Sequence, residues 1–301
     1  MKKIFVVLSV ALALTSCKNG KEEVYSPRYE AQAIELPGVH NARQLGGYVI
    51  GNKKIREDVL LRSGALAKAS DEALAALRDR YKLALVADFR SSMERGAAPD
   101  REVDGAQNVW LPVLEKMVSG DGTASVMASL HLNKDNPSYA VGLLRQPDIQ
   151  EALSASYDTI VFEEDHQHSY AAFLDSLVAL PDGHAALWHC THGKDRCGWG
   201  TAFVLAALGA DRSLIVEDFV MSNIPYSKDI EDLAAIAKAE APEDELIEYI
   251  HLIRGVSKTY FEKTLDKIDA RYGSIDNFLE QALELSSDEK RILRDKFLER
   301  R

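Results

Sequence analysis

The sequence predicts an α/β protein with a central, mostly parallel sheet flanked by helices and a helical C-terminal third. Three observations carry this. Short apolar runs at 82–89 and 185–189 read as strands, and 107–111 reads as another. Helical patterns alternate with them, at 70–81 and at Tyr170, Phe173, Leu174, Leu177 and Val178. The chain then closes in three helical segments, 257–272, 274–285 and 287–298, each starting at a serine that suits an N-cap. A length of 301 residues with 46% apolar content suits one large domain.

In order, residues 48–50 and 59–62 read as strands joined around a turn at 51–54. Ser70 caps a helix running to about residue 81. Residues 115–160 read as irregular, with Gly, Pro, Ser and Asn punctuating short apolar pieces. The strand at 185–189 leads through a tight loop into a small-residue helical run, 198–208. Near the end, Ser286 and Glu289 fit a capping box.

The first residues read as a targeting segment. Met1, Lys2 and Lys3 precede an apolar run, 4–14, too short for a permanent membrane span. Leu14-Thr15-Ser16-Cys17 resembles a bacterial lipobox, which implies a lipoprotein signal peptide at 1–16 and lipidation of Cys17. A polar tether at 17–33 then joins the lipid to a domain at 34–301, anchored in the bacterial cell envelope by that lipid alone. The formal charge of −11 argues against a nucleic-acid partner, which needs a basic face. The cysteines are Cys17, Cys190 and Cys197; they imply no disulfide framework, and no Cys/His group has zinc spacing. His131, His166 and His168 read as surface residues, and no cofactor or metal is expected.

Residues 189–198, His-Cys-Thr-His-Gly-Lys-Asp-Arg-Cys-Gly, carry the chemistry. They place a thiol, Cys190, at the start of a strand–loop–helix turn and a guanidinium, Arg196, at its end. Such a loop can turn backbone N–H groups inward as an anion nest, and the following helix adds its positive N-terminus. Arg196 can grip two phosphate oxygens, and the same field lowers the Cys190 pKa toward the thiolate, a nucleophile for phosphorus. Thr191, His192, Gly193 and Lys194 form the cradle, with Gly193 where a side chain would crowd the backbone. His189 can orient the loop by a hydrogen bond. Asp88 and Arg90, at a strand's carboxyl end, either hold the loop or pair with each other.

This signature resembles that of cysteine-dependent phosphatases, and more narrowly the bacterial family typified by mycobacterial protein tyrosine phosphatase B. Four further segments resemble that family: Asn41-Ala42-Arg43-Gln44-Leu45-Gly46-Gly47-Tyr48, Leu61-Arg62-Ser63-Gly64, Asp88-Phe89-Arg90-Ser91 with Glu94, and Tyr272-Gly273-Ser274-Ile275 with Phe278-Leu279. The resemblance implies a protein tyrosine phosphatase-like fold with a helical lid insertion at about 115–160, where a plain surface insertion is the alternative. It also implies phosphorylated protein, lipid or small-ester substrates, and a general acid inside the loop, here Asp195. Asp158, Glu163, Glu164 and Asp165 are competing acids. Lys194 suits a substrate with more than one phosphate, or is a solvated loop lysine; His192 contacts substrate or caps the loop.

Two residues depart from the family pattern. Gln44 stands where the family usually has Asp, which removes a charge pairing. Cys197 stands where the family has a hydroxyl that hydrogen-bonds the nucleophilic sulfur. A thiol is a weaker donor, which implies slower phosphoenzyme hydrolysis. The same placement puts the two sulfurs side by side, so Cys197 either forms a protective disulfide with Cys190 or fills a gap. Competing functions are an inositol polyphosphate phosphatase, a rhodanese-like sulfurtransferase and a phosphate-dependent binding module.

Overall fold

The computed structural model describes residues 30, 32–115, 136–240 and 244–301. The signal peptide, Cys17, most of the tether, His131 and residues 116–135 of the expected lid segment lie outside the described residues. The main sheet has five strands in the order β1–β4–β7–β5–β6: β1 Arg43–Gln44, β4 Leu60–Ser63, β7 Ala185–His189, β5 Leu83–Asp88 and β6 Gln107–Trp110. Four of these are parallel, and β1 runs antiparallel to β4. This is the expected α/β class.

The inner strands β4, β7 and β5 are buried on both faces, their alternate side chains entering two cores, while the edge strand β6 is largely exposed. Leu61, Val86 and Leu187 join one core with Leu66, Leu77 and Tyr81. Leu60, Leu85, Ala87, Ala186 and Trp188 join the larger core on the other face, under the C-terminal helices. The helix after β7 (α6, Asp195–Leu208) runs through that larger core. Its glycines allow close approach: a Cβ on Gly198 would sit 2.5 Å from the Phe219 ring.

Two expectations are corrected. The strand at β2 (Val49–Ile50) pairs with β3 (Lys53–Ile55), not with 59–62, and β3 pairs onward with β8 (Leu298–Arg300) in a separate antiparallel sheet. Residues 59–62 are instead needed by the parallel sheet, where Leu60 pairs with Ala186. The described part of 115–160 is also regular rather than irregular. It forms helices Pro137–Leu144 and Pro147–Phe162, each with proline in its first turn, where the missing N–H is harmless. The proline punctuation therefore marks helix starts. The expected caps hold: Ser70 accepts from Ala73 N, Ser257 from Tyr260 N, Ser274 from Asn277 N, and Ser286 with Glu289 closes a capping box.

Candidate active site

Strands β4, β5 and β7 all end at one sheet edge, where open α/β sheets hold ligands. Cys190 follows β7 directly, and the loop 190–194 leads into α6. Gly193 has φ +67°, and a Cβ there would lie 2.4 Å from the Ser63 carbonyl carbon, so only glycine fits. Asn41 Nδ2 donates to Gly193 O at 2.8 Å, and Arg62 Nη2 donates to Gly193 O at 2.9 Å and Lys194 O at 3.2 Å. The Tyr226 hydroxyl donates to His192 O at 2.6 Å.

Beneath this floor lies a buried ion cluster. Asp218 Oδ2 sits 2.5 Å from Arg62 Nη1 and 3.6 Å from Arg43 Nη2, and its Oδ1 accepts from Tyr48 OH at 2.9 Å. Gln44, in place of an aspartate, accepts from Asp58 N at 2.8 Å instead of pairing with a cation.

Cys190 is 2% exposed. A hydrogen bond from Cys197 holds its thiol well below the ordinary value; burial opposes this, and the Arg196 charge adds to it. Burial first, and then the neighbouring Cys190, push the Cys197 thiol up. Arg196 is aimed by Glu94, from the helix Ser92–Ala97: Nη1 lies 2.6 Å from Oε2 and Nη2 lies 2.7 Å from Oε1. Thr191 Oγ1 donates to the same carboxylate. Burial works against ionising Glu94, yet Arg196 and Thr191 hold its carboxyl far below the usual range.

Asp195 opens α6 with its carboxylate gripped twice. The Tyr157 hydroxyl donates to Oδ1 at 3.1 Å, and Lys194 Nζ lies 2.7 Å from Oδ2. Lys194 is neither solvated nor extended toward a second phosphate. It is buried and donates to Leu252 O and Gly255 O, carbonyls at a helix end that needs a cation. His192 is exposed, with its ring 6.2 Å from that of Tyr226.

Asp88 and Arg90 pair with each other through two contacts of 2.9 Å. Arg90 also binds Asp100, whose Oδ2 is 3.2 Å from His189 Nε2. Burial lowers the His189 pKa, but Asp100 and Asp88 outweigh it and raise it overall. Ligand atoms of Asp88, Asp100 and His189 lie within 4.8 Å of one another, but the Arg90 guanidinium already binds both carboxylates. Of the competing acids, Asp158 binds Thr264 and Lys267, on the helix Lys258–Tyr272, and Glu163, Glu164 and Asp165 are exposed.

His166 is a correction too. It is buried, and its Nε2 accepts from Leu114 N at 2.8 Å, which fixes the segment after β6. No sequence pattern assigns a role to Asp218, Tyr157 or Asp100. Asp218 had one signal, an acid set among Leu214, Ile215 and Phe219 in a short helix.

The tyrosine phosphatase family model matches residues 34–299. The chain belongs to that family. It is a phosphatase, a phosphoric monoester hydrolase. It is 30% identical over 260 residues to a Cupriavidus necator protein provisionally named a tyrosine-protein phosphatase, covering 82% of each chain. It is 27% identical to the triple specificity protein phosphatase PtpB of Mycobacterium tuberculosis, covering 82% of this chain and 93% of that one. The P. aeruginosa TpbA structure aligns at 17% identity with a TM-score of 0.28, covering 69% of this phosphatase and 94% of that chain.

Proposed function

We propose that this phosphatase works through a cysteinyl-phosphate intermediate on Cys190. The carrying observation is one loop that seats a depressed thiol at its start and, at its end, a guanidinium pre-aimed by Glu94. The Cys190 thiolate attacks phosphorus in line, and the P–O bond to the leaving group breaks. Arg196 and the loop amides carry the charge spread over the equatorial oxygens. Asp195 hands its proton to the leaving oxygen. Water then attacks phosphorus as Asp195 takes its proton; the P–O bond forms, the P–S bond breaks, and the thiolate and orthophosphate are released.

Phosphotyrosine is the first substrate to test, followed by phosphoserine, phosphothreonine and phosphoinositides, in keeping with the triple specificity in the name of the mycobacterial relative. Lipidation at Cys17 would hold the enzyme in the cell envelope. The test is a substrate panel with inositol hexakisphosphate included and Cys190→Ser as control. Orthophosphate release that stops in the variant, with a trapped phosphoenzyme in the parent, is the expected result. Parental turnover by Cys190→Ser overturns the mechanism; preference for inositol hexakisphosphate, or thiocyanate formation, replaces the substrate class.

A further inference from the structure

His166 is buried on the helix Glu164–Ala179 and takes no part in the proposed phosphoryl transfer. Both of its ring nitrogens meet backbone groups. Nδ1 lies 2.9 Å from Thr159 O, and Nε2 lies 2.8 Å from Leu114 N. A carbonyl only accepts and an amide N–H only donates. The two partners therefore fix one state of the ring: neutral, with its proton on Nδ1 and a bare lone pair on Nε2. A second proton would set an N–H against the Leu114 N–H.

The segment held in this way lies against Arg196. Val113 O is 3.4 Å from Arg196 Nη1. Glu115 accepts from Ser92 N at 2.7 Å, at the start of the helix whose Glu94 clamps Arg196. Between them Leu114 has φ +73°, a left-handed backbone that is costly for a residue with a Cβ. The bond to His166 thus holds a turn that would otherwise relax. Ser169 Oγ adds a hydrogen bond to Pro112 O at 2.7 Å. An open cavity of about 190 Å³, lined by Pro112, Glu115, Asp165, His166 and Ser169, gives water access to the ring and the segment room to move.

We propose that His166 is a positioning residue for phosphoryl transfer: its neutral ring clips residues 112–115 in place behind Arg196, and protonation of the ring releases them, so turnover falls in acid. The inference rests on Arg196 holding the phosphate in the proposed mechanism. Burial disfavours the charged ring most, and the Arg196 charge adds to that. Thr159 O, Glu163 and Asp165 act the other way, and the net effect lowers the His166 pKa. Glu115 faces the ring across the cavity, and Asp158, on the helix that supplies Thr159, is committed to Lys267. A released ring takes the ordinary value of about 6.5. The clip is therefore at full strength above that pH and weakens about tenfold per unit below it, down to the folded value.

Amide hydrogen exchange at Leu114, read by NMR on the full chain from about pH 7.5 to about 5, tests this together with kcat/KM on a phosphotyrosine peptide over the same range. The Leu114 opening constant, corrected for the intrinsic exchange rate, is expected to be flat above about pH 6.5 and to rise about tenfold per unit below it. His166→Gln keeps an acceptor near the place of Nε2 and does not titrate. Its opening constant stays flat, and the parent-to-variant ratio of kcat/KM falls below about pH 6.5. That ratio cancels the titration of the substrate and of Cys190. His166→Leu has no acceptor: Leu114 exchanges faster than in the parent at neutral pH, and kcat/KM there falls at least about tenfold. A pH-independent opening constant in the parent overturns the proposal, as does a flat kcat/KM ratio or parental kcat/KM in a folded His166→Leu. If His166→Leu does not fold, the His166→Gln comparison decides alone. Arg196→Lys separates the two readings. Near-parental turnover there defeats the mechanism on which this inference rests, whereas an inactive Arg196→Lys with a flat His166→Gln ratio defeats this inference alone.

Discussion

Asp218→Asn tests whether the phosphate loop stands on a buried charge cluster. The substitution keeps the shape of the side chain and removes its charge. It leaves Arg62 and Arg43, both fully buried, facing a neutral amide 2.5 and 3.6 Å away. Two unit charges about 4 Å apart interact by about 4 kcal/mol at an effective dielectric of about 20. Removing one partner of a buried pair costs about 3–5 kcal/mol, in agreement. At roughly 2 °C per kcal/mol for a large domain, the melting temperature falls by roughly 6–10 °C. The damage also reaches the site, because the same Arg62 supports the Gly193 and Lys194 carbonyls. A misplaced loop lowers kcat/KM by at least about tenfold, or ~1.4 kcal/mol of transition-state stabilisation. Scanning calorimetry and steady-state kinetics at pH 7 provide the readouts. A melting temperature within about 2 °C of the parent, with unchanged kcat/KM, would refute the idea that this cluster holds the loop.

Gly193→Ala forces a left-handed backbone that costs an L-residue about 1–2 kcal/mol, before any clash with Ser63. It removes most activity, and a kinetic assay showing parental kcat/KM would contradict the fit. For Cys190, the folded pKa is depressed, so the reactive thiolate is present at neutral pH and is lost as pH falls through that pKa. Iodoacetamide inactivation is therefore nearly flat from pH 7 to 9, where a thiol of pKa about 8.5 would speed up roughly 20-fold; a 20-fold rise would show an ordinary thiol. Cys197→Thr restores a hydroxyl donor beside Cys190 and speeds phosphoenzyme breakdown in single-turnover measurements. No gain would show that the thiol already suffices.

Local signals were legible wherever one segment fixes its own structure. The strand at Ala185–His189, the caps at Ser70, Ser257, Ser274 and Ser286, and the left-handed turn at Gly193 follow from nearest neighbours, whereas the Ser63 backbone that excludes a side chain at 193 is a tertiary neighbour. The partner of Val49–Ile50 is not legible locally, because both candidate segments are short and apolar in part. The choice falls to Lys53–Ile55 because Leu60–Ser63 is taken by β7, a strand more than 120 positions away. The helices at Pro137–Leu144 and Pro147–Phe162 were hidden by prolines read as breaks. Lys194 lies beyond local pattern, since its partners Leu252 and Gly255 stand 58 and 61 positions further on.

The sequence by itself determined that Cys190 and Arg196 stand together, because a strand, a five-residue loop and a helix start place them within one local turn. Only the tertiary structure decided what holds them. Glu94 clamps Arg196 from 102 positions away, and Asp218 neutralises Arg62 from 156. Charge pairing in a buried site depends on which strand ends and helices the topology brings together, and no local period encodes that.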